Sequence, residues 1–290
     1  MTLYATLDEL KDELKSVDAN TNSSLIRRLR TVSRRLDMEF LSKKELFAPV
    51  YETRKFAVTP ARINSSYGLF KLDGPLQSLS AVSAGNTALV IGTNVNVYPD
   101  STRPPFPYLR LTANAVYDWY GYGHCLDDGS PSFVTVTGYW AYHRDYANAW
   151  ASVDALAADI NASVTALTVA DVDGVDLYGL IPRISIGNLL KIDSEFMEVI
   201  GTNTTTNVVT VRRGANGTTA AAHLQTAAVA VWQVEDAVKY AVARQTAMIF
   251  ARKGAYTTVV IDAGGGEVRF PADLLTEVRA IMQDVMNYGY

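Results

Sequence analysis

The hydrophobic period of this chain changes twice, and that constrains the fold more than any single motif. Up to about residue 49 the apolar side chains recur every three or four positions, from Val50 to Val234 they recur in short alternating runs, and from Glu235 the helical spacing returns. A pattern written for a helix does not serve as a strand, so helices belong at both ends of the chain and strands in its middle.

The first helical segment opens at Thr6, which with Glu9 three residues on reads as a capping box before "LDELKDELKS". Turn and cap formers, "DANTNSS" at 18–24, lead into a second helix, "LIRRLRTVSRRLDMEFL". Its Leu25, Leu29, Val32, Leu36 and Phe40 form one apolar stripe, and Arg27, Arg30 and Arg34 fall on the opposite face, flanked by Arg28 and Arg35. At the other end, "VEDAVKYAVARQTAMIFARKG" and the Pro-started "PADLLTEVRAIMQDVM" read as two more helices, the last burying Leu274, Leu275, Val278, Ile281, Met282 and Val285.

Neither helix pair makes a convincing core alone. The expected fold class is therefore α+β: a four-helix bundle made from the N- and C-terminal helix pairs, with a long β-rich middle that includes a small β-barrel or sandwich module. The expected divisions are 1–49 (helix pair), 50–150 (β-rich section), 151–234 (inserted β module) and 235–290 (helix pair and tail). Within the module, "TALTV", "NLLKIDSEFMEVIG", "NVVTVRRG" and "AVAVWQ" read as strands, with "TNTTTN" and "GANGTT" as turns.

Charge and cysteine content exclude several classes. The net charge of −4 argues against a protein whose main task is gripping nucleic acid by its phosphates. Cys125 stands alone, so an intramolecular disulfide and a cysteine-based zinc site are both excluded. The opening "MTLYATLDELKDELK" lacks the apolar region of a secretory signal, and no run approaches the ~18 apolar residues of a membrane span, so a cytosolic origin and no membrane partner are expected.

The densest chemistry lies in "TVTGYWAYHRDYANAW" at 135–150. His143 and Asp145 could act as a proton-transfer pair, but no Gly-x-Ser-x-Gly element or paired nucleophile accompanies them. The better reading is an aromatic wedge in which Tyr139, Trp140, Tyr142 and Trp150 hold domains or partner chains together. His124 beside Cys125 does not chelate one ion, Asp127–Asp128–Gly129 reads as a turn, and "DAGGGE" lacks the context of a phosphate cradle; no metal or cofactor is expected. The arginine face of the second helix is either a solvated or partner-facing surface or a DNA contact. Residues 1–56 carry eleven Lys/Arg against nine Asp/Glu, which favours the first.

Several patches, in order, resemble one family. "LYATLDELKDELKS" followed by a polar loop and "LIRRLRTVSRRLDMEF", with Tyr4, Thr6 and Leu10 at the matching positions, resembles the N-terminal pair of the head–tail connector proteins of tailed phages, the adaptor or head-completion proteins. "VTVTGYWAYHRDYANAW" is similar to a Val-x-Gly-x-Trp-Gly-Tyr element of longer connector relatives, with Ala141 where Gly is common. The run carrying Ile192, Asp193, Glu195, Met197, Arg213, Gly214, Gly217, Thr218, His223 and Trp232 looks like a small β module that recurs in phage structural proteins, and "FPADLLTEVRAIM" resembles the family's final helix. The patches cover about half of the chain, and residues 50–234 form a middle region longer than that of compact family members.

The resemblance implies a virion neck protein made in the host bacterial cytoplasm, without catalytic activity. It implies a homo-oligomeric ring, commonly twelve-fold, that docks on the portal protein, extends the DNA channel and carries the next neck or tail-completion protein. DNA would pass through without sequence-specific binding, helped by the net negative charge. On this reading Arg27, Arg30 and Arg34 meet an acidic surface of a neighbouring subunit or the portal, or sit near the channel, and the four aromatic residues serve an interface. Tyr288 and Tyr290 in the terminal "MNYGY" are either a docking segment or a frayed end. The competing expectation is a phage carbohydrate- or receptor-binding structural protein that uses the inserted β module.

Overall fold

The computed structural model describes residues 2–15, 18–40, 47–64, 68–85, 87–99, 104–111, 133–176, 179, 181–251, 260–261, 267–268 and 274–287. Tyr288, Tyr290, His124, Cys125, Asp127, Asp128 and the glycines of "DAGGGE" lie outside the described residues. The chain divides into two compact units, one of Met1–Lys44, Trp150–Ala215 and Thr219–Tyr290, the other of Glu45–Ala149 and Asn216–Thr218.

The first unit joins helices to a small barrel. Its described helices are α1 (Leu7–Leu14), α2 (Asn22–Phe40), α3 (Asp236–Ala251) and α4 (Thr276–Asn287). The Thr6–Glu9 capping box is present in both directions, so two orphan N–H groups of α1 are satisfied locally. Leu25, Leu29, Val32 and Leu36 of α2 are buried, as the stripe requires. Asp37 is also buried and accepts a 2.5 Å hydrogen bond from the Tyr4 hydroxyl, while the Tyr4 N–H donates to Ser33 Oγ at 3.2 Å. Asp37 thus pins the N-terminal segment onto α2. Gln245 of α3, itself buried, accepts from the Leu275 N–H at 2.9 Å and caps the start of α4.

These helices do not form the expected four-helix bundle, and the protein is mostly β. A bundle needs comparable helices sharing a core along their length; here they run to eight, nineteen, sixteen and twelve residues. They form a layer tied to the barrel instead. The Leu7 N–H donates to the Ile186 carbonyl at 3.0 Å, Leu3 lies against Gly187, and Arg30 of α2 reaches Glu198 at 3.5 Å. Counting amphipathic helices overlooked the apolar outer face of the strands, which also needed covering.

The barrel strands are β8 (Trp150–Ala155), β9 (Ala166–Thr168), β10 (Leu189–Ile192), β11 (Glu195–Asn203), β12 (Val208–Arg212) and β13 (Ala228–Trp232), ordered β8-β13-β10-β11-β12-β9. Pairing of Leu156 with Val169, with the Ala157 N–H donating to the Thr168 carbonyl at 2.9 Å, joins the two outer strands and closes the sheet. The run "NLLKIDSEFMEVIG" is not one strand: it turns at Asp193, whose φ is +51°, and continues as β11. Alternation then sorts the side chains. Leu190, Ile192, Met197, Val199, Val209 and Val211 fill the interior, whereas Leu189, Phe196 and Trp232 are buried on the outer face.

The second unit is a seven-stranded antiparallel sheet. Its spine runs β1 (Val50–Ala57), β7 (Phe133–Trp140), β3 (Leu69–Ala84), β6 (Phe106–Leu111), β5 (Val95–Tyr98), with β2 (Ile63–Asn64) and β4 (Thr87–Leu89) also paired to β3. The sixteen-residue β3 is bulged between Leu76 and Ser78, which brings its backbone onto β7. A Cβ at Gly138 would stand 2.2 Å from the Ser78 carbonyl oxygen, so only glycine fits there.

Candidate functional site

Among the described residues three constellations concentrate polar and aromatic side chains, and they differ in how fully their polar groups are satisfied.

The aromatic stretch is divided between the two units. β7 alternates so that Val134, Val136, Gly138 and Trp140 face the core of the second unit. Trp140 is 0 % exposed; its Nε1–H donates to the Glu52 carbonyl at 3.2 Å, and the Arg54 guanidinium lies 4.0 Å from a ring centroid. Trp140 is therefore inside a sheet core. Tyr139 stands opposite Tyr51 in register, with centroids 4.9 Å apart, and burial followed by the Tyr51 hydroxyl raises its pKa. Tyr142 meets Phe47 edge-on at 6.2 Å. Trp150 belongs to the first unit, 5.1 Å from both Phe196 and Trp232 on the outer face of the barrel. His143 Nδ1 accepts from the Asp145 N–H at 3.0 Å, and the Asp145 carboxylate accepts from the Asn148 amide at 2.6 Å; these are bonds of a local turn.

The second constellation plugs one end of the barrel, and sequence reasoning gave it no role. Glu195 continues the inward parity of Met197 and Val199, and Arg213 that of Val209 and Val211, so two opposite charges meet inside. Glu195 is 0 % exposed. It receives Arg213 Nε at 2.7 Å and Nη2 at 2.8 Å, the Gly214 and Ala221 N–H groups each at 2.9 Å, and His223 Nε2 at 2.9 Å. His223 Nδ1 lies 2.7 Å from Asp193. The remaining Arg213 donors reach the carbonyls of Asn161, Val164 and Ala221. Burial alone would push the Glu195 carboxyl up, but the bonds from Arg213, Ala221, His223 and Gly214 outweigh it and hold the pKa at about 2. Every participant is spoken for, which describes a scaffold rather than a reaction centre. The readable signal was a charged residue at an inward position on each of two alternating strands. Among the described residues no cluster of His, Cys, Asp and Glu is arranged to hold a metal ion.

The third constellation is the arginine face of α2, where Arg27, Arg30 and Arg34 are all exposed, as their helical spacing requires. They line a shallow groove with Thr31, Arg35, Met38 and Glu39. Arg30 leans on Glu198, which is also held by Arg212 at 2.9 Å; Arg35 lies 3.7 Å from Glu39, and Arg28 turns over the Phe250 ring at 5.8 Å. Among the described residues the guanidinium groups of Arg27 and Arg34 have no ion-pair partner, and Met38 beside them is 54 % exposed. Two uncompensated cations and an exposed apolar side chain can take an anionic partner.

Compared with known proteins, the chain matches no family model and no curated protein. Among the described residues no helix is long and apolar enough to cross a membrane.

Proposed function

We propose that this protein is a structural component of the tailed-phage virion: a head–tail connector that docks as a ring on the portal, extends the DNA channel and carries the next neck or tail protein. The observation that supports this reading is the α2 face. Among the described residues Arg27 and Arg34 have no ion-pair partner and stand beside exposed Met38, whereas Arg30, Arg35, Arg183, Arg212, Arg213, Arg244 and Arg279 of the same unit each reach a carboxylate, that of Glu195, Glu198, Asp171, Glu13 or Glu39. A surface that holds uncompensated charge and apolar area together is built for association. The resemblance of the ordered sequence patches to the connector proteins supports placing the chain in that assembly. In this role the chain catalyses nothing and needs no cofactor, and DNA passes it without sequence-specific contact.

Immunogold labelling of purified virions tests the reading. Gold at the junction of head and tail is expected; virions that lack the protein, or carry it only at the tail tip, overturn it, and the second result points to a receptor- or carbohydrate-binding role.

A further inference from the structure

The first unit carries a second charged surface, opposite in sign to the arginine face. A cleft between the N-terminal segment, α1, the 181–189 region and the start of α3 is lined by five carboxylates, those of Asp8, Glu9, Asp12, Asp176 and Asp236. Against them stand two cations, Arg183 and Lys239. Both are engaged, Arg183 with Asp171 at 3.1 Å and Lys239 with Asp236 at 3.4 Å and Glu9 at 3.8 Å. Asp8 and Asp12, one helical turn apart on α1, take no ion-pair partner among the described residues, and Lys11 and Lys15 lie off the cleft lining. Ile181 at the cleft is 69 % exposed.

The arginine groove is its complement. Four arginines face a single acid, Glu39, which Arg35 and Arg279 already occupy. Each surface holds two like charges on one helix that have no ion-pair partner among the described residues, and one exposed large apolar side chain, Met38 on one and Ile181 on the other. The two share no residue.

We propose that the α2 arginine face of one copy docks against the Asp8/Asp12 cleft of a second copy, head to tail, with Met38 meeting Ile181. A contact between two different surfaces of the same chain leaves one of each free at the ends, so it propagates until it closes on itself or extends as a filament. The inference rests on the connector reading for its setting and on the charge distribution for its geometry.

Charge reversal in the full-length chain tests it. The Arg27→Glu/Arg34→Glu variant carries two acidic surfaces and the Asp8→Lys/Asp12→Lys variant two basic ones. By light scattering at low salt, wild type self-associates, each variant alone loses at least about tenfold in association constant, and an equimolar mixture recovers it, because both contacts are complementary again. Circular dichroism melts establish that each variant is folded, and the fourfold variant, which reverses both surfaces in one chain, must also recover association. A wild type that stays monomeric, variants that associate like wild type, or a mixture that recovers nothing overturns the inference; so does an arginine face that instead binds duplex DNA in a salt-dependent way. These outcomes are independent of the virion labelling: a protein found at the neck whose reversals have no effect refutes the docking pair alone.

Discussion

Arg213 and Arg27 are the same residue put to opposite uses. Inside the barrel end, Arg213 gives two donors to Glu195 and the rest to three backbone carbonyls. On α2, Arg27 is exposed and its guanidinium has no ion-pair partner among the described residues. A charge removed from water is tolerated only when its bonds are complete, so the first arginine holds loops in place. An exposed one loses little by waiting, so the second is available to a partner. The difference separates the part of the unit that maintains the fold from the part that can meet something else.

The largest test of that contrast is Arg213→Ala. It leaves Glu195 ionised and buried without its main partner, and a loss of about 3–5 kcal/mol in urea unfolding is expected. A loss below about 1 kcal/mol would show that water or backbone donors suffice and that the network is not a scaffold. Acid probes the same site without mutation. The folded pKa of Glu195 lies below its unfolded value, so its stabilisation is complete above about pH 4.3 and fades as the pH falls towards 2. The melting temperature should drop across that window, and less steeply in Glu195→Gln.

A smaller effect is expected at Thr6, whose hydroxyl accepts from the Glu9 N–H at 3.2 Å. Thr6→Ala should cost about 1 kcal/mol, read in the same unfolding experiment. The smallest belongs to Arg27→Ala/Arg34→Ala, which should change stability by less than about 0.5 kcal/mol while weakening association. A large loss of stability there would erase the distinction between the two kinds of arginine.

Local features of the fold were legible because local physics sets them. The capping box at Thr6, the buried stripe from Leu25 to Leu36 and the alternation in β7 each follow from spacing alone. The exposed arginine face was legible for the same reason. What spacing could not supply is pairing at long range. Glu195 and His223 are 28 residues apart in sequence and 2.9 Å apart in space, and Tyr4 reaches across 33 residues to draw Asp37 inward. The bundle expectation failed at this level too: period identifies which helix face is buried but not what covers it, and the outer face of the barrel is part of the answer. Trp140 shows the same limit, since an aromatic residue in a strand reads equally as core or as interface until its neighbours are known.

The most direct test of the contrast is the size of the assembly that each form of the protein enters. Tagged wild type and Arg27→Ala/Arg34→Ala, matched for melting temperature, are run on a density gradient after nuclease treatment of an infected-cell lysate. Wild type should travel in a large complex with a portal-type ring protein and the variant at the position of the free chain. A variant that travels with wild type, or a wild type found free, would contradict the account.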